Sequence, residues 1–513
     1  MRDWISIALQ DLRFAARSCA RRPGFAALAI LTLGLGIGAT TAVFSILDAV
    51  LLRPLPYRQP DRLAAVWLTS TREASLAKLF ATYRDYSEFA RHARSFDGVA
   101  AATWAKRSPS VLTGHGPARD ILTIPASGNF FEMLGVHARL GRVFTRDDEV
   151  RGCSLVLAHP FWSTTLGADP AIVGKPLIID QKPCTVLGVM PAEFSFYPRQ
   201  TQAWILLGPG FQDAQDAMLV GIFARLRAGV TPEQAQAELR GLYRALHPVG
   251  ETRDFQPVVY DLQGEFTFLA GRTLRRTLMI MFGAVLLVML IGCLNVANLL
   301  MARLSERRRE LAVRAALGSG QGRLVRQVLT ESLLLSTFGA ATGIAIAWAG
   351  LRYFRYANPI ELRVGAEVEL QLGVLAFSAA LSLAATIVTG LLPAIRASRV
   401  DPASQLMSAG RGTVPGRQAL SRTVIAVQVA LSLLLLVGAG LLMTSALRMG
   451  STPLGFNPDR ILAARATLPV FRYSTNVQRR QAYDRLLEQL ERQPGVQAVA
   501  LASKLPPEAG GNQ

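Results

Sequence analysis

Apolar positions gather into five long runs, at residues 23–47, 276–301, 332–351, 372–393 and 423–447. Each is close to the ~20 helical residues that cross the hydrocarbon core of a bilayer. Inside lipid every backbone amide and carbonyl needs an internal partner, so such runs predict transmembrane helices. They are too long and too continuously apolar for barrel strands. The stretch 48–275, between the first two runs, alternates short β-rich segments with amphipathic ones. The pattern predicts an α-helical membrane protein of five transmembrane helices, with a large α+β domain inserted between helices 1 and 2. The first run is longer than the 7–15 apolar residues of a signal peptide, and no small-residue cleavage site follows before Asp48, so it reads as a retained anchor.

Finer patterning fills in the segments between the spans. In residues 1–22, Trp4, Ile5, Ala8, Leu9 and Leu12 make one apolar stripe, which predicts an amphipathic helix on the membrane surface, cut off by Pro23-Gly24. Within 48–275, Leu155-Val156-Leu157, Leu177-Ile178-Ile179 and Thr185–Val189 read as strands bounded by glycine and proline. Thr231-Pro232-Glu233-Gln234 reads as a helix start with a capping box, and Leu239, Leu242 and Leu246 continue its apolar face. At about 225 residues the insert is large enough for its own core, and two lobes are expected. In 302–331, residues 306–318 predict a short helix ending at a Gly318 C-cap, and a second helix from Gly322 to Glu331 runs into the third span.

Charge gives these elements a direction. The net charge is +19, and much of the arginine flanks the spans. Arg13, Arg17, Arg21 and Arg22 precede the first; Arg303, Arg307, Arg308, Arg309, Arg314, Arg323 and Arg326 separate the second from the third; Arg396, Arg399, Arg411, Arg417 and Arg422 separate the fourth from the fifth. Lys/Arg-rich loops stay in the cytoplasm. All three clusters agree on one topology: residues 1–22, 302–331 and 394–422 inside; 48–275, the short 352–371 loop and 448–513 outside. The inserted domain is then extracytoplasmic. Basic charge so placed fits anionic membrane lipids. Nucleic acid is not an expected partner, because no aromatic-basic recognition module is present.

The chemistry of sites is sparse. The Gly174-Lys175 pair is followed by Pro176, and Asp169 stands where a P-loop needs its first glycine, so no nucleotide motif is recognisable. Five histidines are scattered without metal-ligand spacing. Catalytic, cofactor and metal sites are therefore expected to be none, and the chain is not expected to be an enzyme. Gly34-Leu35-Gly36-Ile37-Gly38 imitates a dinucleotide run but lies inside a span, where Gly34 and Gly38 predict close helix packing. Asn295 and Asn298, three apart on one face of the second span, predict hydrogen bonds to a neighbouring helix or, alternatively, contact with a substrate. Gln428 and Thr386 have the same bland reading. Apart from Arg276 at the edge of the second, these spans hold no acidic or basic residue of the kind that marks ion-coupled carriers. Of four cysteines, Cys153 and Cys184 fall in the extracytoplasmic domain, either as a disulfide or as two buried thiols.

The start of the chain is echoed near its end. Pro60-Asp61-Arg62-Leu63-Ala64-Ala65 beyond the first span corresponds to Pro458-Asp459-Arg460-Ile461-Leu462-Ala463-Ala464 beyond the fifth, and Phe96-Asp97-Gly98-Val99 to Gln493-Pro494-Gly495-Val496. With the spans themselves, three features recur at a shift of 397–399 residues. Residues 448–513 thus read as the start of a second extracytoplasmic domain, and the chain as an incomplete copy of a duplicated protein.

Several of these stretches resemble one family. Arg309–Gly318, with Val325–Leu333, is similar to the coupling-helix region of MacB/FtsX-type ABC transporter permeases. Gly128-Asn129-Phe130-Phe131, Gly141–Phe144, Gly174-Lys175-Pro176 and Val186–Pro191 resemble the MacB-type periplasmic core domain, and Arg53–Tyr57 resembles a subgroup of duplicated permeases without their own ATPase. The resemblance implies a separate cytoplasmic ABC ATPase subunit as partner, with a periplasmic adaptor or envelope protein on the other side. It places Arg309, Glu310, Arg314 and Gly318 in the ATPase-coupling element, and Glu331 at its junction with the third span. The implied activity is efflux or export by mechanotransmission in the bacterial inner membrane. The alternative is a transmembrane signalling or scaffold protein that controls an envelope partner without moving a substrate.

Overall fold

The computed structural model describes the chain apart from residues 1, 74–76, 104–109, 151, 209–217, 249–253, 272, 307–320, 358–367, 399–415, 451–460, 465, 467, 469–472, 474 and 503–513. It divides into two compact units, one built on the apolar helices and one on Pro54–Ala270.

The membrane unit begins with α1 (Arg2–Ala20), and Pro23 in the first turn of α2 (Pro23–Leu47) suits a helix start, where its missing amide is no loss. A π-helical turn, Asp48–Leu52, extends α2. Among the described residues, five stretches are long and apolar enough to cross a membrane: Pro23–Leu52, Leu274–Arg303, Val325–Ala357, Leu372–Leu391 and Ile425–Ser445. The helices that carry the last four outrun their apolar cores, spanning Leu274–Glu306, Gln321–Ala357, Leu372–Ser398 and Gly416–Gly450. The helix beginning at Gln321 is continuous into the third span, so no break separates the cytoplasmic helix expected over 322–331 from it. On α1, Ala15, Ser18 and Cys19 are buried while Leu12 is 46% exposed. The earlier members of the expected stripe, Trp4 to Leu9, lie outside the described side chains.

The inserted unit is one mixed sheet. Its strands are β1 (Leu63–Ser70), β2 (Ala81–Thr82), β3 (Phe96–Ala102), β4 (Ser110–Thr113), β5 (Arg119–Ile121), β6 (Thr123–Ala126), β7 (Leu140–Gly141), β8 (Ser154–Leu157), β9 (Pro176–Ile179), β10 (Lys182–Val189), β11 (Ala203–Leu206), β12 (Leu219–Leu226) and β13 (Phe255–Asp261). They run in the order β13-β1-β12-β3-β6-β11-β8-β10-β9-β4-β5, with β2 beside β12 and β7 beside β10. The β6–β11 and β8–β10 ladders are parallel. The helices are α3 (Tyr83–His92), α4 (Phe130–Leu134), α5 (His159–Thr165), α6 (Pro232–Leu246) and α7 (Leu262–Ala270). In chain order the four further long helices are α8 (from Leu274), α9 (from Gln321), α10 (from Leu372) and α11 (from Gly416), and α12 (Asn476–Glu491) follows.

Strand periodicity sorts the core. Successive side chains of a strand point to opposite faces. On β1, Leu63, Ala65 and Trp67 join one hydrophobic cluster, while Ala64, Val66 and Leu68 join another. Both faces of β1 are covered, which explains its unbroken apolar run. One cluster packs Phe130 and Phe131 of α4, Phe161 of α5 and Phe266 of α7; the other packs Phe89 of α3 and Leu239 of α6. On β1 the two clusters lie on opposite faces of the sheet, whereas Leu155, Val156 and Leu157 of β8 all belong to the first. At α6 the Gln234 amide donates to the Thr231 hydroxyl (3.3 Å) and the Thr231 amide to Gln234 Oε1 (3.0 Å), closing the capping box.

Cys153 and Cys184 form a disulfide, which removes the alternative of two buried thiols. It ties the start of β8 to its parallel neighbour β10. A bridge closing a loop of this length stabilises by about 3.7 kcal/mol in the chain-entropy account.

The repeated segment near the end is partly visible. Pro458 to Arg460 lie outside the described residues, and Ile461 to Ala464 carry no strand, although the matching Leu63–Ala65 sit in β1 between β12 and β13. A strand needs ladder partners, and residues 461–464 have none among the described residues. The helix before the second motif is present: α12 starts at Thr475 with a capping box to Gln478, as α3 starts at Thr82 with one to Asp85.

Asp148, buried beside β7, accepts two bonds from Arg142 (2.5 and 2.7 Å) and one each from the Thr145 amide and hydroxyl. Arg142 foremost holds its carboxyl well below the usual carboxylate range, against the opposing effect of burial. A depressed carboxylate contributes stability above the unfolded value near pH 4, which is lost as pH falls through the lower folded value. Asp148→Asn should therefore lower the urea stability of the inserted domain by about 1–2 kcal/mol at pH 7, the half-exposed Arg142 being partly screened. The difference from wild type, read by tryptophan fluorescence, should shrink steadily below about pH 4.

Candidate functional site

The stretch resembling a coupling helix, with Arg309, Glu310, Arg314 and Gly318, lies within 307–320 and outside the described residues. Its two flanks are described. α8 leads into it and α9 leads out, and close to these ends the membrane unit buries an ionic cluster. Arg303 on α8 donates from Nη2 to both the carbonyl (2.8 Å) and the hydroxyl (2.8 Å) of Ser18 on α1. Its Nη1 lies 3.8 Å from Glu331 Oε2 on α9, and both side chains are more than nine-tenths buried. The guanidinium also sits 4.9 Å over the Phe25 ring of α2. One side chain of α8 thus touches three other helices, α1, α2 and α9.

A second pair extends the tie: Arg326 Nε on α9 donates to Asp11 on α1 at 2.5 Å. The Cys19 thiol, next to Ser18, is pushed up by burial, with Glu331 adding to the shift and Arg303 opposing it. The arrangement is electrostatic and mechanical. A buried guanidinium needs a counter-charge, so α1, α8 and α9 are held in register wherever Arg303 stays buried. The family resemblance had singled out Glu331; Arg303, Ser18, Asp11 and Arg326 were missed. Nothing in the sequence separates Arg303 from its neighbouring arginines, because burial is decided by which helix packs on which.

The glycines lie at a different contact. A Cβ at Gly38 would stand 2.8 Å from the Gly343 carbonyl oxygen, and one at Gly34 would stand 3.2 Å from Thr342. A Cβ at Gly343 would in turn meet Gly34 O and Gly38 N at 2.9 Å. The backbones of α2 and α9 therefore touch through two small-xxx-small motifs, Gly34/Gly38 and Gly339/Gly343. The second motif was present in the third span and could have been paired with the first by spacing alone.

Asn295 and Asn298 come together with Gln428. Gln428 Nε2 donates to Asn295 Oδ1 (2.6 Å), and Asn298 Nδ2 donates to Gln428 Oε1 (3.3 Å), joining α8 to α11. The two asparagines also line a shallow cleft with Leu28, Thr32 and Leu299.

The ionic cluster makes a comparative prediction. Removing one member of a buried pair costs about 3–5 kcal/mol, whereas an exposed pair is worth about 1 kcal/mol or less. Glu331→Gln should lower the thermal stability of the detergent-solubilised chain far more than Glu369→Gln, whose partner Arg355 is half exposed. Melting curves of the two variants that coincide would remove the cluster's structural role.

Comparisons with known proteins agree with this layout. Residues 26–242 match the MacB-like periplasmic core domain, and residues 282–402 match the FtsX-like permease C-terminal domain. The macrolide export ATP-binding/permease protein MacB of Neisseria meningitidis serogroup A is 22% identical over 313 residues, covering 60% of this chain and 47% of that protein. The pyoverdine export ATP-binding/permease protein PvdT of Pseudomonas syringae pv. syringae is 26% identical over 288 residues, covering 52% and 40%. The chain spans about half the length, or less, of these curated relatives. Among solved structures, a permease-protein domain from Porphyromonas gingivalis is 18% identical with a TM-score of 0.32, covering 40% of this chain and 93% of that one. The periplasmic region of MacB from Actinobacillus actinomycetemcomitans is 15% identical with a TM-score of 0.29, covering 40% and 91%. With its first span and inserted domain matching one family model and its next three spans matching the other, the chain belongs to the MacB/FtsX-type permeases, multi-pass membrane components of ABC transporters in the bacterial inner membrane.

Proposed function

We propose that this chain is a permease subunit that converts ATP hydrolysis on a separate cytoplasmic ABC ATPase into motion of its periplasmic domain, for efflux or export. The reading places the N-terminus and 302–331 in the cytoplasm and residues 48–275 in the periplasm, as the flanking arginines require. Arg309, Glu310, Arg314 and Gly318 form the docking element for the ATPase. A periplasmic adaptor or envelope protein is the partner on the opposite side, and anionic lipids neutralise the basic flanks.

The observation that carries this reading is the Arg303–Glu331–Ser18 cluster at the base of the basic loop. Force delivered to a loop is lost unless both of its stems are stiff. Here the stems are two long helices locked to each other and to α1 by a charge that costs several kcal/mol to leave unpaired. Glu331 therefore acts at the joint, and Gly34 and Gly38 keep α2 against α9 so that the first span follows the third. The names of the relatives, which specify ATP binding and the export of a macrolide or pyoverdine, support the class of activity and leave the substrate of this chain open.

Co-expression should recover a cytosolic ABC ATPase with the chain, and the reconstituted permease should stimulate its hydrolysis. Arg314→Glu combined with Gly318→Pro should cut that stimulation by roughly tenfold, within the 1–3 kcal/mol usual for coupling between sites. Stimulation left intact in the double variant would exclude the docking role. Intact stimulation without movement of any substrate in vesicles would favour a signalling role instead.

A further inference from the structure

The inserted domain is attached to the spans twice, by the segment entering at Pro54 and by α7 leaving at Ala270. These two tethers are some 200 residues apart in sequence, and both end on one phenylalanine. On the entering side, Leu55 and Tyr57 are buried in the main core. The Tyr57 hydroxyl donates to the Ser195 carbonyl (2.6 Å), and its ring lies 6.2 Å from Phe194 and 6.4 Å from Phe196. On the leaving side, Phe266 of α7 packs edge-on against Phe196 with ring centroids 5.1 Å apart. Phe196 is itself wedged edge-on against Phe130 (4.9 Å) and Phe223 (5.0 Å), so it is fixed to α4 and to β12.

Each tether has a second fastening. Arg225 of β12, buried, donates to the Met133 carbonyl twice and to the Gln59 carbonyl (3.3 Å), clamping the entering segment. Glu265 of α7 is 1% exposed and accepts from Lys78 (2.5 Å), whose ammonium lies 3.4 Å from the Phe268 ring centroid and 4.4 Å from that of Tyr260. Edge-to-face ring contacts stabilise beyond the burial of their area.

We propose that Phe196 is a positioning residue that joins the entering and leaving tethers into one rigid block. Within the domain the two tethers then cannot be pulled apart without breaking the ring contacts around Phe196. The consequence for transport rests on the function proposed above. The joining of the tethers does not, and it can be measured without an ATPase.

The test is hydrogen exchange on the full chain in nanodiscs. Tyr57→Leu should speed amide exchange in Leu262–Ala270 by roughly three- to tenfold, the effect of losing one aromatic contact carried across to the other tether. The control is Phe89→Leu, which opens the core on the opposite face of the sheet and should speed exchange around α3 while leaving α7 at the wild-type rate. The reciprocal variant Phe266→Leu, read at residues 55–62, takes over if Tyr57→Leu does not fold. Exchange at the distant tether that stays unchanged, or that rises equally in Phe89→Leu, overturns the proposal. Chain that passes this test yet stimulates no ATPase would refute the transport reading and leave the joined tethers standing.

Discussion

A guanidinium taken out of water costs several kcal/mol unless a counter-charge and hydrogen-bond acceptors go with it. Arg303 meets that requirement in part: Nη2 donates to Ser18 of one helix, Glu331 of another stands 3.8 Å away as counter-charge and the Phe25 ring lies beneath, while Nε and Nη1 make no hydrogen bond among the described residues. No one of these helices can shift alone without stranding the charge. The ends of the spans beside the basic loop are thereby fixed to one another, and the rest of the membrane unit is arranged around that joint.

Away from the joint, lipid offers helices no hydrophobic reason to associate, since one apolar neighbour is as good as another. Close backbone approach and amide hydrogen bonds take over. Gly34 and Gly38 against Gly339 and Gly343 give the first, and Asn295, Asn298 and Gln428 give the second. The two devices act on different helix pairs, α2 with α9 and α8 with α11. A permease that moves needs contacts specific enough to return to, and short-range packing and paired amides supply them at modest cost.

The inserted domain solves a different problem. It buries both faces of β1, so that strand carries an unbroken apolar run with one core on each side of it. The aromatic side of that core also receives both connections to the spans. If the tethers share Phe196, as proposed, the contacts that hold this core are also those that hold the two tethers together.

Much of this was legible in the chain. Span length and arginine placement are one-dimensional properties, set by bilayer thickness and charge asymmetry, and Thr231 with Gln234 announces a helix start through residues only three apart. Glu331 was singled out only through the family resemblance, and Gly34 and Gly38 because a run of small residues inside an apolar span is conspicuous. What the sequence could not decide is which distant residues meet. Arg303 is one arginine among many until Ser18 and Glu331 close on it, the two cysteines are only a possible pair until β8 and β10 lie side by side, and Tyr57 and Phe266 are unrelated aromatics until both reach Phe196. Local patterns fix what a segment becomes, because backbone hydrogen bonding and side-chain period act over a few residues. Partnership across hundreds of residues is settled only when the whole chain packs and each buried group has to be satisfied at once.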